Sequence, residues 1–425
     1  MSARNRELVN LVVVGALMTL GFASVYIALS EQVSTTSLSA AGFFFALYLI
    51  AHLVARSTVP HADPYLLPMT ALLTAIGLTE IYRLDADDAF RQGIWVVVGV
   101  ALFASTLIVL RHDFRRLEAY RYLFGIGAIV LLALPALPGI GATVNGATLW
   151  VRAGPIQFQP GEFAKLMLIV FLAGYLQEKR EVLAQGRLKD FGPLLMIWGG
   201  AMLVLVQTND LGSALLYFGI FLAMLYVATG RVLFAALGAA LFIGGAVVVH
   251  QFVPRVQERV STWLDPWADP EDDGYQIIQS LYSIANGAFG GTGLGRGTFY
   301  NTPGGGNEGE PLIPFAKTDF IYSALAQELG LIGVSALLLV YMLFVLRGMR
   351  IALLAGDGFS KLLAAGLTFG FALQTFIIVG GIVRLIPLTG ITLPFVSYGG
   401  SSLLANFVLV AGLMLVSNRA NARAA

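Results

Sequence analysis

Long apolar runs alternate with short polar segments along nearly the whole chain. Most runs are about 20 residues long, so a helix that rises ~1.5 Å per residue would cross a hydrocarbon core of ~30 Å. A helix satisfies its own backbone hydrogen bonds in lipid, and the alternating strands of a transmembrane barrel are not seen. The pattern predicts an all-α polytopic membrane protein. The predicted spans are 8–30, 38–55, 65–82, 93–110, 121–138, 163–178, 193–207, 210–230, 232–253, 319–346, 360–384 and 399–418.

The composition supports a membrane protein and argues against several other classes. The chain has 425 residues, of which 57% are hydrophobic and 12% charged, and its mean hydropathy is +0.79. Soluble globular domains average about 25% charged residues. The net charge of +1 predicts no nucleic-acid partner. The sequence has no cysteine, which excludes disulfides and a cysteine nucleophile, and its four histidines are too scattered to predict a metal site.

The distribution of basic residues predicts the orientation in the membrane. Placing the N-terminus in the cytoplasm puts most of the 26 Lys and Arg residues on the cytoplasmic side, including clusters at 111–121 and 179–189. Cytoplasmic loops of membrane proteins carry such an excess. Both termini are then expected in the cytoplasm, and the loops 140–159 and 254–317 are expected on the extracytoplasmic side.

The second of these loops is too short and too rich in Gly, Pro and Asp to form a folded domain of its own. The spacing of its apolar residues predicts one helix over 275–288, lying on the outer membrane surface. Glycine-rich segments at 290–297 and 303–309 predict turns or a mobile loop. The polar positions expected on the opposite face of the predicted helix are Gln276, Gln279, Ser280 and Ser283.

An aspartate stands where this loop meets the tenth span. In the segment IPFAKTDFIYSALAQELG, Asp319 directly follows Thr318. One interpretation is structural, because a threonine can cap a helix and an acid stabilises its positive end by ~0.3–1 kcal/mol. The other is that a partly desolvated carboxylate at the mouth of a cavity accepts a proton. The adjacent Lys317 could hold Asp319 ionised or bind an anionic substrate.

Glu328 lies nine residues further along the same predicted helix. At the helical rise it is ~13 Å deeper, and it is on roughly the opposite face from Asp319. The two acids therefore cannot form an acid/base pair. An ionisable residue at this depth marks a pathway or a buried partner, and the structural interpretation is an ion pair with Lys165 or Arg384.

Three further polar features occur at predicted outer ends of spans. Glu162 and Lys165 have i, i+3 spacing at the start of span six, which places them on one helix face. Asp210 precedes span eight and is expected to cap it. Arg384 opens a segment rich in Pro, Gly and hydroxyl residues, which membrane proteins tolerate where it lines a cavity. Its side chain would meet a phosphate or extend to the membrane interface.

Five segments together resemble the SEDS family, the FtsW/RodA/SpoVE proteins of bacterial cell-wall growth. They are NGATLWVRAGPIQFQPGEFAKL, NDLGSALL, GYQIIQS, KTDFIYSALAQELG and PLTGITLPFVSYGGSSLL, in this order. The resemblance covers about 65–418 and implies a bundle of ten core transmembrane helices with a large extracytoplasmic loop. Residues 1–60 would then be an N-terminal two-helix extension, and 61–425 would be the core.

Three positions depart from the family pattern. Many members have an acid and a histidine where this chain has Phe315 and Lys317, and a serine where it has Gly161. The acid at the first position is more typical of FtsW, so the sequence favours a RodA-like protein. The two additional N-terminal spans resemble those of actinobacterial members. The departures leave Asp319 untouched.

The resemblance implies a peptidoglycan glycosyltransferase in the bacterial cytoplasmic membrane, which polymerises lipid II on the outer face for cell elongation or division. Asp319 would be the catalytic base that deprotonates the 4-hydroxyl of the acceptor sugar, with undecaprenyl pyrophosphate as the leaving group. Lys, Arg or a divalent cation such as Mg²⁺ or Mn²⁺ would neutralise the pyrophosphate. The residues predicted to bind substrate or surround the cavity are Glu162, Lys165, Asp210, Arg296, Lys317, Glu328, Arg384, Ser397 and Ser401.

The family also implies partners, namely a class B penicillin-binding protein that acts as transpeptidase and other membrane proteins of the elongation or division machinery. Two alternatives stay open. A lipid II flippase would also be a polytopic bundle with buried charges and broken helices, and a scaffold would use its helices to dock a partner.

Overall fold

The computed structural model describes residues 2–30, 35–144, 147–154, 156–184, 192–300 and 311–422. The predicted turn at 303–309 and the basic residues Arg187 and Lys189 lie outside these ranges. The helices are α1 (Ala3–Ser30), α2 (Thr35–Thr58), α3 (Leu66–Leu84), α4 (Ala86–Leu110), α5 (Arg116–Ala119), α6 (Arg121–Ala133), α7 (Pro160–Ala184), α8 (Gly192–Gln207), α9 (Leu211–Thr229), α10 (Val232–Phe252), α11 (Pro254–Leu264), α12 (Tyr275–Gly287), α13 (Ile321–Leu354), α14 (Gly358–Ile382) and α15 (Gly400–Ala422).

Each of the twelve predicted spans coincides with one helix, and these are all the helices except α5, α11 and α12. Within the described ranges, eight helices are long and apolar enough to cross a membrane, while α6 and α8 are apolar but shorter. Charged side chains are buried in the other two, including Arg83 of α3 and Lys165 of α7. The predicted class, an all-α multi-pass membrane protein, is confirmed.

The bundle is built around α14 and α15, which are largely buried. Helices α4, α7, α9 and α13 pack around them. Close approach depends on small residues, as is common between membrane helices: Gly99 of α4 lies against the ring of Phe407 of α15. Helix α10 packs on α9 and has no buried residue, so its apolar surface is available to lipid.

The first two helices pack against the core rather than standing apart. Helix α1 contacts α2 and α3, and the rings of Phe22 and Tyr82 are 5.3 Å apart. A buried polar cluster ties the start of α1 to α2, since Glu7 is 2.6 Å from Arg4 Nη1 and 2.7 Å from His52 Nδ1. The buried charges of Arg4 and Glu7 are thus paired with each other, as buried charges must be.

A three-stranded antiparallel sheet follows α6 and was not predicted. Its strands are β1 (Gly141–Val144), β2 (Ala147–Ala153) and β3 (Ile156–Phe158), in the order β1-β2-β3. Gly141 pairs with Val151, and Ala153 pairs with Ile156. Strands of three to seven residues are too short to give a clear periodic pattern. The sheet and residues 254–300 and 311–320 lie at one end of the bundle, which we call the loop end.

The helix predicted at 275–288 is α12, but the prediction of its exposed face is wrong. Ser280 and Ser283 are buried, and the Ser280 and Ser323 hydroxyls are 2.5 Å apart, joining α12 to α13. Small hydroxyl residues face α13 because they allow close packing and satisfy one another's hydrogen bonds. The glycine segment after α12 forms turns, and Gly293 has a φ of 97°, which a residue with a side chain rarely adopts.

Candidate active site

A cavity of about 1100 Å³ opens at the loop end of the bundle. Its walls come from α4, β2, α7, α9, α11 and the segments 315–319 and 389–400. Four of the predicted residues meet there, together with four arginines that the sequence analysis did not single out. The charged residues that line it are Arg91, Arg152, Glu162, Lys165, Asp210, Arg255, Arg259 and Asp319.

Asp319 lies just before α13 but does not cap it. The helix begins at Ile321 and makes no side-chain cap hydrogen bond, and the Thr318 hydroxyl donates to the carbonyl of Phe315 at 3.3 Å. The prediction that Thr318 caps this helix is therefore wrong. Residues 312–320 form a series of turns rather than a continuation of the helix, so the carboxylate is free to face the cavity.

The environment of Asp319 suits proton transfer near neutral pH. Burial raises the pKa of its carboxyl to about 6, although Arg259 and the Thr318 side chain oppose this effect. Gly390 lies beside the carboxylate: a Cβ at Gly390 would be 3.7 Å from Asp319 Oδ2. A base is most effective when its pKa is near the operating pH, so Asp319 can accept a proton from a substrate in the cavity.

Arg259 of α11 supplies positive charge close to the Asp319 carboxylate. Its Nη1 donates to the carbonyl of Thr389 at 3.3 Å. Burial and the neighbouring Arg255 lower its pKa, whereas Asp210 and Asp319 raise it. The i, i+4 spacing of Arg255 and Arg259 places them on one helix face, and that spacing was the signal that could have identified them in the sequence.

Glu162 and Lys165 form the predicted pair on α7. Lys165 Nζ is 2.7 Å from Glu162 Oε2 and 2.7 Å from Gln374 Oε1 of α14. The lysine is buried, so its charge is balanced by the carboxylate and hydrogen-bonded by the amide. This arrangement keeps a fixed cation in the cavity wall without leaving it unpaired.

Asp210 caps α9, as predicted, by accepting a hydrogen bond from the backbone N–H of Ser213 at 2.9 Å. Burial raises the pKa of Asp210, and Glu162 adds to this effect, while its bonds with Ser213 and the charge of Arg259 oppose it. The residue thus has a structural partner and also faces the cavity.

Glu328 lies outside the cavity and pairs with a residue that was not predicted. Its Oε1 is 3.1 Å from Arg83 Nε, and the backbone N–H groups of Gly295 and Gly297 donate to its carboxylate at 2.7 and 3.0 Å. The prediction that Glu328 pairs with Lys165 or Arg384 is wrong, because Lys165 contacts Glu162 and Gln374 and Arg384 contacts the Trp263 carbonyl. Glu328 therefore joins α3, α13 and the glycine turns of the long loop.

Lys317 also points away from the cavity. Its Nζ is 2.8 Å from Asp85 Oδ2, between α3 and α4, and in a closer contact with Asp88 Oδ2, in the first turn of α4. The prediction that Lys317 holds Asp319 ionised is wrong, since these two acids engage its ammonium group.

The remaining four predicted residues do not line the cavity. Arg296 is exposed on the glycine turns. The Arg384 guanidinium donates to the carbonyl of Trp263 at 2.9 Å and lies over the Trp267 ring, so it anchors the end of α11. Ser397 accepts from the N–H of Leu393, and Ser401 accepts from the N–H of Gln159. The two serines therefore support the cavity walls through backbone contacts.

The described residues contain no group of three or more His, Cys, Asp or Glu that could hold a metal ion. Asp319, Asp210 and Glu162 are the carboxylates of the cavity. A divalent cation here would take most of its ligands from water and substrate phosphate, which is how Mg²⁺ is usually bound.

Comparison with known proteins places the chain in a family. A family model described as cell cycle protein, of the FtsW/RodA/SpoVE type, matches residues 63–422. Peptidoglycan glycosyltransferase RodA of Mycobacterium tuberculosis is 42% identical over 98% of this chain and 91% of that relative. The resemblance to a RodA-like actinobacterial protein is thereby confirmed.

Solved structures agree with the sequence matches. One chain, from a study of how a peptidoglycan synthase complex coordinates polymerization and crosslinking, matches with a TM-score of 0.68 and 29% identity, covering 84% of this chain and 98% of the other. Rod shape determining protein RodA of Thermus thermophilus matches with a TM-score of 0.60 and 26% identity, over 84% and 97% of the two chains. The chain belongs to the FtsW/RodA/SpoVE family.

Proposed function

We propose that the chain is a peptidoglycan glycosyltransferase that polymerises lipid II, and that Asp319 is its catalytic base. The observation that carries the proposal is a carboxyl group with a pKa of about 6 in the wall of a cavity of about 1100 Å³. Its relatives include proteins named peptidoglycan glycosyltransferase. The same cavity wall carries the cations that a pyrophosphate leaving group requires.

In the proposed reaction, Asp319 takes the proton of the acceptor sugar's 4-hydroxyl as the oxygen attacks the anomeric carbon of the growing strand. A new glycosidic C–O bond forms and the bond from that carbon to the pyrophosphate oxygen breaks. The half-buried Arg259 and the buried Lys165 are the cations best placed to stabilise the departing undecaprenyl pyrophosphate. A single general base supplies roughly 10²- to 10⁴-fold, so positioning and charge neutralisation supply much of the remainder. A divalent cation would add to this neutralisation if one binds with the substrate.

We also propose an orientation in the membrane and a domain organisation for the chain. We place the loop end on the extracytoplasmic side and both termini in the cytoplasm, because that arrangement satisfies the distribution of Lys and Arg. Residues 1–60 are an N-terminal two-helix extension of a core that spans 61–425. A class B penicillin-binding protein is the partner we propose, together with other membrane proteins of the elongation or division machinery. The solved complex related to this chain combines polymerization with crosslinking.

The test is lipid II polymerisation by the purified chain, with and without its partner, for wild type and Asp319→Asn. The matched control is Asp273→Asn, which changes an exposed acid of the same long loop. We expect glycan strands from wild type and the control and almost none from Asp319→Asn. Equal polymerisation by folded Asp319→Asn would show that the catalytic assignment is wrong. If wild type makes no strands but moves lipid II across vesicle membranes, the flippase alternative is correct.

A further inference from the structure

Lys317 precedes Asp319 by two residues, and its side chain joins an acidic cluster outside the cavity. The cluster consists of Asp85, between α3 and α4, and Asp88, in the first turn of α4. Burial opposes the charge of Lys317, but the two carboxylates outweigh it and raise the pKa of the lysine. The two carboxylates therefore favour the charged form of the ammonium group that contacts them.

The acidic cluster of Asp85 and Asp88 is itself held in place. Asp85 Oδ1 accepts from the N–H of Asp88 at 3.0 Å and so caps α4. Asp88 Oδ1 is 3.1 Å from Arg91 Nη1, and Arg91 lines the cavity. The Tyr300 hydroxyl donates to the carbonyl of Leu84 at 2.5 Å. Lys317 is thus attached to a fixed point at the rim of the cavity.

The backbone on the other side of this segment is also fixed. The Lys317 carbonyl accepts from the N–H of Tyr398 at 2.8 Å, and the Thr318 carbonyl accepts from Ser397 Oγ at 2.6 Å. Gln92 of α4 donates to the Ser397 carbonyl at 3.2 Å. The two residues before Asp319 are therefore held by one element through the lysine side chain and by another through the backbone.

We propose that Lys317 is a positioning residue for Asp319: its ion pairs with Asp85 and Asp88 fix the segment that presents the carboxylate to the cavity. The inference rests on the proposed role of Asp319 as base. Lys317 does not line the cavity, so its loss is expected to change the rate of the chemical step and not the binding of substrate. A displacement of about 1 Å at a reacting group can cost roughly 10²-fold.

A purely structural role makes a different prediction. Lys317 and Asp85 are partly exposed, so their ion pair contributes little to stability. Asp88 is buried, so its pair with Lys317 can contribute more. If the cluster only supports the fold, any loss of activity will follow a loss of folded protein. If it positions Asp319, kcat will fall in protein that remains folded.

The experiment measures kcat and KM for lipid II polymerisation by the full chain with its partner. Lys317→Met is compared with Lys317→Arg, with Asp88→Asn and with the double variant Lys317→Met/Asp88→Asn. The control is Lys361→Met, which changes an exposed lysine near the start of α14, after Asp357. We expect Lys317→Met to lower kcat roughly tenfold or more with KM within about twofold, and Lys317→Arg to restore most of it. Because the two residues act as a pair, the double variant should lose no more than the worse single variant.

Two results would overturn the inference. One is wild-type kcat in folded Lys317→Met. The other is a loss in Lys317→Met and Asp88→Asn that follows their melting temperatures and is not rescued by arginine. These two results can be told apart from a failure of the proposed function. In that case wild type makes no glycan strands, or Asp319→Asn makes them as fast as wild type.

Discussion

Arg259 and Asp319 flank the same glycine in the cavity wall. A Cβ placed on Gly390 would lie 3.9 Å from Arg259 Nη2 and 3.7 Å from Asp319 Oδ2. The arginine comes from α11 and the aspartate from the turns before α13, so only the folded loop end brings them together. A base and a cation side by side suit a reaction that removes a proton and releases an anion.

Replacing the arginine tests this relationship. Arg259 opposes the effect of burial on Asp319, so Arg259→Met is expected to move the acid-side midpoint of kcat/KM above about pH 6. Loss of the cation should also lower kcat/KM by roughly 10²-fold, as for other charge-stabilising donors. The measurement is a pH profile of lipid II polymerisation, with Arg350→Met, an exposed arginine at the other end of α13, as control. An unchanged midpoint would show that Arg259 does not influence the pKa of Asp319.

Gly390 provides a second test because its φ is 74°. Alanine at this position costs about 1–2 kcal/mol in backbone strain and places a methyl group beside both charged side chains. We expect Gly390→Ala to lower kcat and to raise the pKa of Asp319, since the methyl group removes water from the carboxylate. Gly230→Ala is the matched control: it has a φ of 69° and no atom within 4 Å of the added Cβ. If the two substitutions lower kcat equally, the effect of Gly390→Ala is due to backbone strain and not to its position beside Asp319 and Arg259.

The Glu328–Arg83 pair is predicted to stabilise the protein and not to act in the reaction. Glu328→Gln removes the Oε1 contact with Arg83, and Arg83→Met removes the cation that balances the buried Glu328 carboxylate; breaking a buried ion pair typically costs about 3–5 kcal/mol. We expect a clear fall in melting temperature for each single variant and less than the summed loss for the double variant. Thermal unfolding of the purified protein measures this. Single variants with wild-type melting temperatures but no polymerisation would instead place Glu328 in the reaction.

The sequence alone predicted the features that depend on neighbouring residues. Twelve helices follow from apolar length, the Glu162–Lys165 pair follows from i, i+3 spacing, and the Asp210 cap follows from its place before an apolar run. In each case the interacting groups are within a turn of one another.

The features that the sequence analysis missed depend on distant contacts. Glu328 has its partner on α3, and Lys317 has its partners at the N-cap and in the first turn of α4, so neither interaction could be read from local spacing. The serines of α12 are buried because α13 presents a matching serine. Arg259 was missed because α11 lies in a loop that composition made appear irregular. The resemblance to a family supplied Asp319 but not the groups that surround it.

The folded stability of Asp319→Asn provides a control on any loss of activity. The pKa of Asp319 is higher in the folded than in the unfolded protein. Its ionisation therefore lowers the free energy of unfolding as pH rises from the unfolded-state pKa to the folded-state pKa, and the loss remains at higher pH. Removing the charge is therefore expected to leave stability unchanged or to increase it above pH 6. A marked loss of melting temperature at pH 7.5 would show that the carboxylate has a structural role.

The most direct measurement is kcat/KM for lipid II polymerisation between pH 5 and 8, for wild type and Asp319→Asn together. A base must be unprotonated, so the wild-type value is expected to fall as pH drops through about 6. Asp319→Asn should be slower by roughly 10²- to 10⁴-fold and should lack this acid-side fall. A variant that retains the wild-type rate and the same fall below pH 6 would contradict the assignment of Asp319 as the base.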